Sequence, residues 1–359
     1  PCCSPARRRP AVCPLSRTSV DLDASPPAVD ACLEELGDAD PRHYTTSVAV
    51  LDLEAARRAL GLEALNLYGI SYGTRVAQHY LRRFPEAVRT VILDGVVPPT
   101  ATLGPRLSRF ADDALRAQIA RCRAAPACRA RFPALEARVR EALGAAPFEL
   151  ELSHPTTGET TRERVPRPEV AGILRLLLYT PETAALLPLL VERAASGRPG
   201  PLVAQGRLAE AQLRGALAFG MHAAVVCTED VPRSASAGAP GLLGLELLPR
   251  LERLCERWPA GVLDVDLHAP LESDAPALLL SGELDPVTPP AWGERAKARL
   301  TNALHVVAPE QGHGIAPRGC APRLLARFVD TSQVDSLDAS CLDRLRALPF
   351  FVDVNGPPP

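Results

Sequence analysis

The sequence lacks any apolar run long enough to cross a bilayer. Its longest, Ala216 to Cys227, is broken by Gly220 and His222 and falls short of the roughly 18 residues a span requires. It also lacks charge imbalance. The 40 Lys and Arg against 42 Asp and Glu leave a formal net charge of -2, so neither nucleic acid nor an acidic membrane surface is an expected partner. There is no Cys-x-x-Cys pair and no Cys/His cluster with zinc-like spacing, so neither a metal nor a cofactor is expected. There is no internal repeat, no visible secretory leader and no initial Met, which reads as a removed start or a fragment. Residues 1–24 carry no period of 2 or 3.6; they read as a disordered or frame-aberrant segment, with Arg7 to Arg9 a solvated patch.

What is present is enough for a core. The chain has 359 residues, 47% of them hydrophobic, which suits one large domain with an insertion or two domains. Ten cysteines are many for a reducing compartment. Disulfides are expected, paired Cys122 with Cys128, Cys227 with Cys255 and Cys320 with Cys341; buried free thiols are the other reading for some of them. Disulfides imply a periplasmic or extracellular location.

One stretch organises the rest. Leu65 to Ile70 reads as a buried strand that runs into Gly69-Ile70-Ser71-Tyr72-Gly73, a G-x-S-x-G strand–turn–helix elbow. Such a turn is tight, so the residues two before and two after the serine are expected to be small. Ser71 would sit above the sheet at the start of a helix, Tyr72 to Arg83, stopped by Pro85. The Tyr72 backbone N–H would face an oxyanion.

Around it, a helix is expected at Pro26 to Leu36 and a second through Leu60, with Thr45, Thr46 and Ser47 offering caps and Val48, Leu51, Ala55 and Ala59 falling on one apolar face. Thr90 to Asp94 reads as a strand. From Pro98 to about Pro276 the strand–helix alternation stops. Helices are expected at Arg106 to Cys122, Ala134 to Leu143, Arg167 to Leu178, Pro181 to Ser196 and Leu208 to Ala218, with a hairpin over Phe148 to Val165 turning at Thr156-Thr157-Gly158. Then strands return at Ala277 to Ser281 and Ala303 to Val307, with helices at Ala291 to Leu300, Pro322 to Val329 and Ala339 to Leu348. The expected organisation is an α/β core over 25–98 and 277–352, a helical cap over 99–276 and a loose tail over 353–359.

A serine hydroxyl needs a base and a group to orient that base. Asp285, in Gly282-Glu283-Leu284-Asp285-Pro286-Val287-Thr288-Pro289, and His313, in Gln311-Gly312-His313-Gly314, each follow a strand's carboxyl end. The order Ser71, Asp285, His313 is that of an α/β-hydrolase. Glu283 is a rival acid and His305 a rival base. His43, His154 and His268 read as surface residues.

These motifs, with Tyr44-Thr45-Thr46, Leu93-Asp94-Gly95-Val96 and the elbow, resemble the exported tripeptidyl and prolyl aminopeptidases, serine peptidases with a TAP-like C-terminal region. The resemblance covers about 25 to 352. It implies an α/β-hydrolase fold with an incomplete, mostly parallel sheet and an inserted helical cap. It implies release of short or proline-containing N-terminal units from peptides with a free N-terminus. It also implies cap carboxylates that hold the substrate amine; Val226-Cys227-Thr228-Glu229-Asp230 aligns with that segment, making Glu229, and more weakly Asp230, candidate anchors. A solvated acidic turn is the other reading. Trp258 would line the pocket or pack the cap. One departure stands out: the family's Gly-Gly-Pro-Gly oxyanion loop and its first strands are not in this sequence, so an N-terminally truncated, weak or inactive member is expected. Loss of one oxyanion donor costs on the order of 10²–10³ in rate. Cys32 would be left to Cys13 or unpaired, and the nucleophile strand would lie at an open edge. An esterase or lipase-like hydrolase and an inactive fragment are the competing functions.

Overall fold

The computed structural model describes residues 25–357, except residues 103, 154–156, 215–217 and 235–240. The chain opens with α1 (Pro26–Glu35) and α2 (Thr46–Ala59), then β1 (Leu65–Ile70), α3 (Tyr72–Arg83) and β2 (Val88–Asp94). Next come α4 (Pro105–Ala124), α5 (Pro126–Arg131), α6 (Leu135–Gly144) and the strands β3 (Phe148–Ser153) and β4 (Thr160–Val165). They are followed by α7 (Arg167–Leu177), α8 (Pro181–Ala195), α9 (Gly200–Arg214), α10 (Phe219–Val225) and α11 (Leu247–Cys255). The chain closes with β5 (Ala277–Gly282), α12 (Pro290–Lys297), β6 (Ala303–Ala308) and α13 (Ala321–Thr331).

The four-stranded sheet has the order β1-β2-β5-β6 and every pairing is parallel. Period-2 alternation sends its two faces into separate cores. Val91, Leu93, Ala277 and Leu279 pack with Val50, Ala77 and Tyr80 on the side of α2 and α3. Ile92, Leu278 and Leu280 pack with Leu324 and Phe328 of α13 on the other. All six residues of β5 are buried, which is why it reads as a continuous apolar run. Among the described residues β1 is an edge strand. Its Leu67 is buried, but Tyr68 and Ile70 are 51% and 45% exposed.

Between β2 and β5 a separate core forms around Leu115, Val139, Ile173, Leu174 and Leu187. The β3–β4 hairpin pairs Phe148 with Val165 through Ser153 with Thr160. Gly158 takes φ +71 in its turn, while His154 and Thr156 lie outside the described residues. The bridges Cys122–Cys128, Cys227–Cys255 and Cys320–Cys341 are all present. Cys32 is disulfide-bonded as well, so it is not left unpaired.

Three sequence expectations need correction, and three helices were not expected. α2 does not bury Val48, Leu51, Ala55 and Ala59; it buries Thr46, Ser47, Val50 and Glu54, with Leu51 48% exposed. The buried carboxylate is tolerated because Tyr80 Oη donates to Glu54 Oε2 at 2.7 Å and Arg57 Nη2 to Oε1 at 2.8 Å. α9 begins at Gly200, not Leu208, since Pro201 is accepted in a first helical turn. Ala339 to Leu348 is not a helix beyond the single turn Leu342–Arg344. There the chain is tied by the Cys320–Cys341 bridge, by Ala347 N–H to Glu310 Oε2 at 3.0 Å, and by Arg121 to the Leu348 carbonyl. Finally, α5, α10 and α11 carry no counterpart in the sequence reading; α5 and α10 are 6 and 7 residues long, too short for a clear period. Within 353–357, Val352 N–H donates to the Gly356 carbonyl at 3.1 Å in a tight turn.

Candidate active site

The elbow starts where β1 ends. Ser71 takes φ +54 and ψ -122, a left-handed conformation that a serine adopts only when its surroundings impose it. A Cβ on Gly69 would collide with the Gly73 carbonyl, so glycine is required at that position. At Gly73 a Cβ would meet nothing within 4 Å; the expectation that both flanking positions must be small holds for Gly69 alone, because it is the Gly73 carbonyl that presses on Gly69. The turn is held by Ser71 N–H to the Asp94 carbonyl at 2.9 Å and by Thr74 Oγ1 to the Ser71 carbonyl at 2.6 Å. Tyr72 is the first residue of α3, where a backbone N–H has no acceptor within the helix.

Asp285 follows β5 and is 4% exposed. Its Oδ1 accepts from Val287 N–H at 2.8 Å and Thr288 N–H at 2.9 Å; its Oδ2 accepts from Thr288 Oγ1 at 2.8 Å and His313 Nδ1 at 2.7 Å. These bonds fix the imidazole with Nδ1 as donor, leaving Nε2 as the basic nitrogen. Burial pushes the His313 pKa down, but the charge of Asp285 and the hydrogen bond to it, with a further contribution from Asp94, outweigh burial and raise it. His313 N–H donates to the Tyr179 carbonyl at 2.7 Å, and the two rings meet edge-on with centroids 5.5 Å apart.

Ser71 and His313 each approach the adjacent residues Asp94 and Gly95. Ser71 N–H bonds the Asp94 carbonyl, and a Cβ on the adjacent Gly95 would fall 2.8 Å from His313 Cε1. Among the described residues the Ser71 hydroxyl makes no hydrogen bond to His313. Such bonds commonly tighten only when substrate is bound. Both rivals are placed elsewhere: Glu283 Oε2 accepts from Glu310 N–H at 2.8 Å, and His305 lies between Ser281 Oγ at 2.9 Å and Glu294 Oε1 at 2.6 Å.

Glu229 and Asp230 lie in a single π turn, Val226–Asp230, and both are 0% exposed, not a solvated acidic turn. Asp230 receives Arg75 Nη1 at 3.0 Å and Nη2 at 2.8 Å. Glu229 receives Thr46 N–H at 2.7 Å, Thr46 Oγ1 at 2.8 Å and Arg75 Nη1 at 3.2 Å. Thr46 Oγ1 also lies 2.8 Å from Tyr72 Oη, so the elbow and the acidic pair share one hydrogen-bond chain. Burial raises the Glu229 pKa even with Arg75 opposing it. Trp258 is 3% exposed and packs with Val29, Cys32 and Cys227, so it fills the core beside the Cys227–Cys255 bridge. His268 is not a surface residue: its Nδ1 lies 3.2 Å from the Pro99 carbonyl in a partly buried position.

The sequence reading took Thr46 as a helix cap and passed over Arg75, Asp94, Thr288 and Tyr179. An arginine one turn after Ser71, in the first half of the elbow helix, was the available signal for Arg75. Among the described residues one group of potential metal ligands converges, His79, Asp264 and Asp266, within 4.8 Å. Arg83 Nη1 already donates to Asp264 at 2.6 Å, so this group reads as an ion-paired contact.

Two family descriptions match the chain: alpha/beta hydrolase fold over residues 23–168 and TAP-like protein over residues 246–341. The first contains the Ser71 elbow, the second both the Asp285 and the His313 loops. The chain has the α/β-hydrolase fold, with a TAP-like region toward its C-terminus. Serine protease Hip1 of Mycobacterium tuberculosis (strain ATCC 25618 / H37Rv) is 42% identical over 73 residues, 20% of this chain and 14% of that protein. Tripeptidyl aminopeptidase of Streptomyces lividans is 41% identical over 71 residues, 20% of this chain and 13% of that protein. The matched stretch thus spans about one seventh of these curated relatives' own length. Among solved structures, proline iminopeptidase of Mycobacterium smegmatis superposes with a TM-score of 0.41 at 18% identity, over 82% of this chain and 75% of that chain; a likeness of that size carries no weight for function. The chain has no helix among the described residues long and apolar enough to cross a membrane.

Proposed function

We propose that this α/β-hydrolase is a serine aminopeptidase that releases short or proline-containing N-terminal units from peptides. The observation that carries the reading is the 2.7 Å bond from His313 Nδ1 to buried Asp285, beside the strained Ser71 elbow. In this reading His313 Nε2 takes the Ser71 proton as Oγ attacks the scissile carbonyl carbon. The Tyr72 N–H stabilises the oxyanion. The imidazolium then protonates the leaving amine, and water repeats the sequence on the acyl-enzyme. Asp285 keeps the imidazole in the tautomer that leaves Nε2 free and stabilises the imidazolium.

Arg75 pairs with both Glu229 and Asp230, two buried carboxylates linked to the elbow through Thr46 and Tyr72. Carboxylates so placed suit a substrate ammonium and disfavour a blocked N-terminus. The disulfides fit a periplasmic or extracellular setting.

The test compares Glu229→Gln with the parent on a free-amine peptide anilide, its N-acetylated form and p-nitrophenyl acetate. The expected result is a 10- to 100-fold loss of kcat/KM on the free-amine substrate with ester turnover retained. Equal loss on all three would leave a general esterase as the better reading. Absence of fluorophosphonate labelling at Ser71 in folded protein would leave a non-catalytic one.

A further inference from the structure

Asp94 is 0% exposed and ends β2. Its backbone carbonyl accepts the Ser71 N–H. Its carboxylate faces the other way. Oδ1 and Oδ2 accept Ile315 N–H at 2.8 and 2.9 Å, and Oδ2 accepts Ala316 N–H at 2.8 Å. Those two amides lie just past His313, in the loop that follows β6, which is also held by Leu284 N–H to the Gln311 carbonyl at 2.8 Å and His313 N–H to the Tyr179 carbonyl at 2.7 Å. One residue therefore joins the serine turn and the histidine loop through its two ends. A carboxylate is the group suited to collecting two adjacent amides in a dry site, and a spacing error of about 1 Å between base and nucleophile can cost on the order of 10²-fold in rate.

The charge has a second consequence. Among the described residues no arginine or lysine pairs with Asp94. The only other side-chain contact is Tyr68 Oη at 3.4 Å, on exposed β1. The groups that face His313 are Asp285 from the loop after β5, Asp94 from the end of β2, and Arg175 and the Tyr179 ring from α7 and its end. Two of the four are carboxylates, and of these two only Asp285 is hydrogen-bonded to the imidazole.

We propose that Asp94 is a positioning residue of the hydrolase site, tying the His313 loop to the strand end that holds Ser71 and placing a second buried negative charge toward the imidazolium. This rests on the serine-hydrolase reading above. Burial keeps the Asp94 pKa raised while the two amides and His313 oppose it.

The test is Asp94→Asn, nearly isosteric, assayed for kcat, KM and the pH profile of kcat/KM. The expected result is a 10- to 100-fold fall in kcat with KM little changed, and an acid limb moved to lower pH by about half a unit or more. A folded variant with unchanged kcat and unchanged acid limb would overturn the proposal. A purely structural residue would lower stability without moving the limb. A second measurement needs no turnover: the NMR titration of His313 in Asp285→Asn, with and without Asp94→Asn. Burial outweighs Asp94 once Asp285 is neutral, so the imidazole should titrate below its ordinary value in the single variant and lower still in the double one; the same titration in both counts against the coupling. Ser71→Ala separates the two failures, since retained turnover there sinks the serine-hydrolase reading while the imidazole titration still reads the coupling.

Discussion

Arg75, one helical turn past Ser71, holds both oxygens of Asp230 across 155 positions of sequence, with guanidinium-to-carboxylate distances of 3.0 and 2.8 Å. The same guanidinium reaches Glu229 and the Ala101 carbonyl. All three charged side chains are at most 1% exposed. Replacing Arg75 by Met should therefore leave two buried carboxylates without a cation and cost about 3–5 kcal/mol, read as a lower urea midpoint. Adding Glu229→Gln and Asp230→Asn should return part of that loss. A single variant as stable as the parent would show that the cluster is not held by its charges.

The two glycines of the elbow should respond in opposite directions. Gly69→Ala drives a methyl into the Gly73 carbonyl and should cost about 1–3 kcal/mol or more, with activity falling as the turn shifts. Gly73→Ala enters open space on a helix and should change stability by no more than about 1 kcal/mol, toward stabilisation. Thermal melting of the pair checks this; equal effects would contradict the geometry.

Two histidines give opposite pH slopes. Burial lowers the His305 pKa despite its bond to Glu294. The unfolded chain therefore takes up that proton first as pH falls, and the stability His305 contributes is present above its unfolded value, about 6.5, and lost below it. The His313 pKa is raised, so its contribution is present below the unfolded value and lost as pH rises through the folded one. In His305→Gln the decline in urea midpoint between pH 7 and 5 should shrink. In the proposed mechanism His313 acts as a neutral base, so kcat/KM should fall on the acid side of a limb lying above the ordinary histidine value.

The Cys227–Cys255 bridge closes a span of 28 residues that begins in the π turn carrying Glu229 and Asp230. Replacing both cysteines by Ala should cost about 2–4 kcal/mol and raise KM for free-amine peptides more than for simple esters. A KM change equal for both substrate classes would detach the bridge from amine recognition.

Much of the site was legible along the chain because its chemistry is packaged locally. A G-x-S-x-G turn, an acid before Pro286 and a histidine between two glycines each lie within a few residues of an apolar strand, and period and turn chemistry are short-range properties. The three disulfide pairings followed from proximity in sequence, with separations of 6, 28 and 21. What stayed hidden was polar burial. A pattern of apolar residues put α2 on the wrong face, because the face it buries is satisfied by Tyr80 on another helix and by Arg57 on its own. Trp258 could equally have lined a pocket until its neighbours were in place.

By itself the sequence determined the strand order of chemistry, Ser71 then Asp285 then His313, and the parallel α/β class, since both depend on runs and turns whose energetics are set within one element. Only the tertiary structure decided that Glu229 and Asp230 are clamped by Arg75 and that Asp94 joins the Ser71 turn to the His313 loop. Those pairings stabilise only once water is excluded from side chains far apart in the chain, and no local pattern encodes which distant partner will satisfy a buried charge.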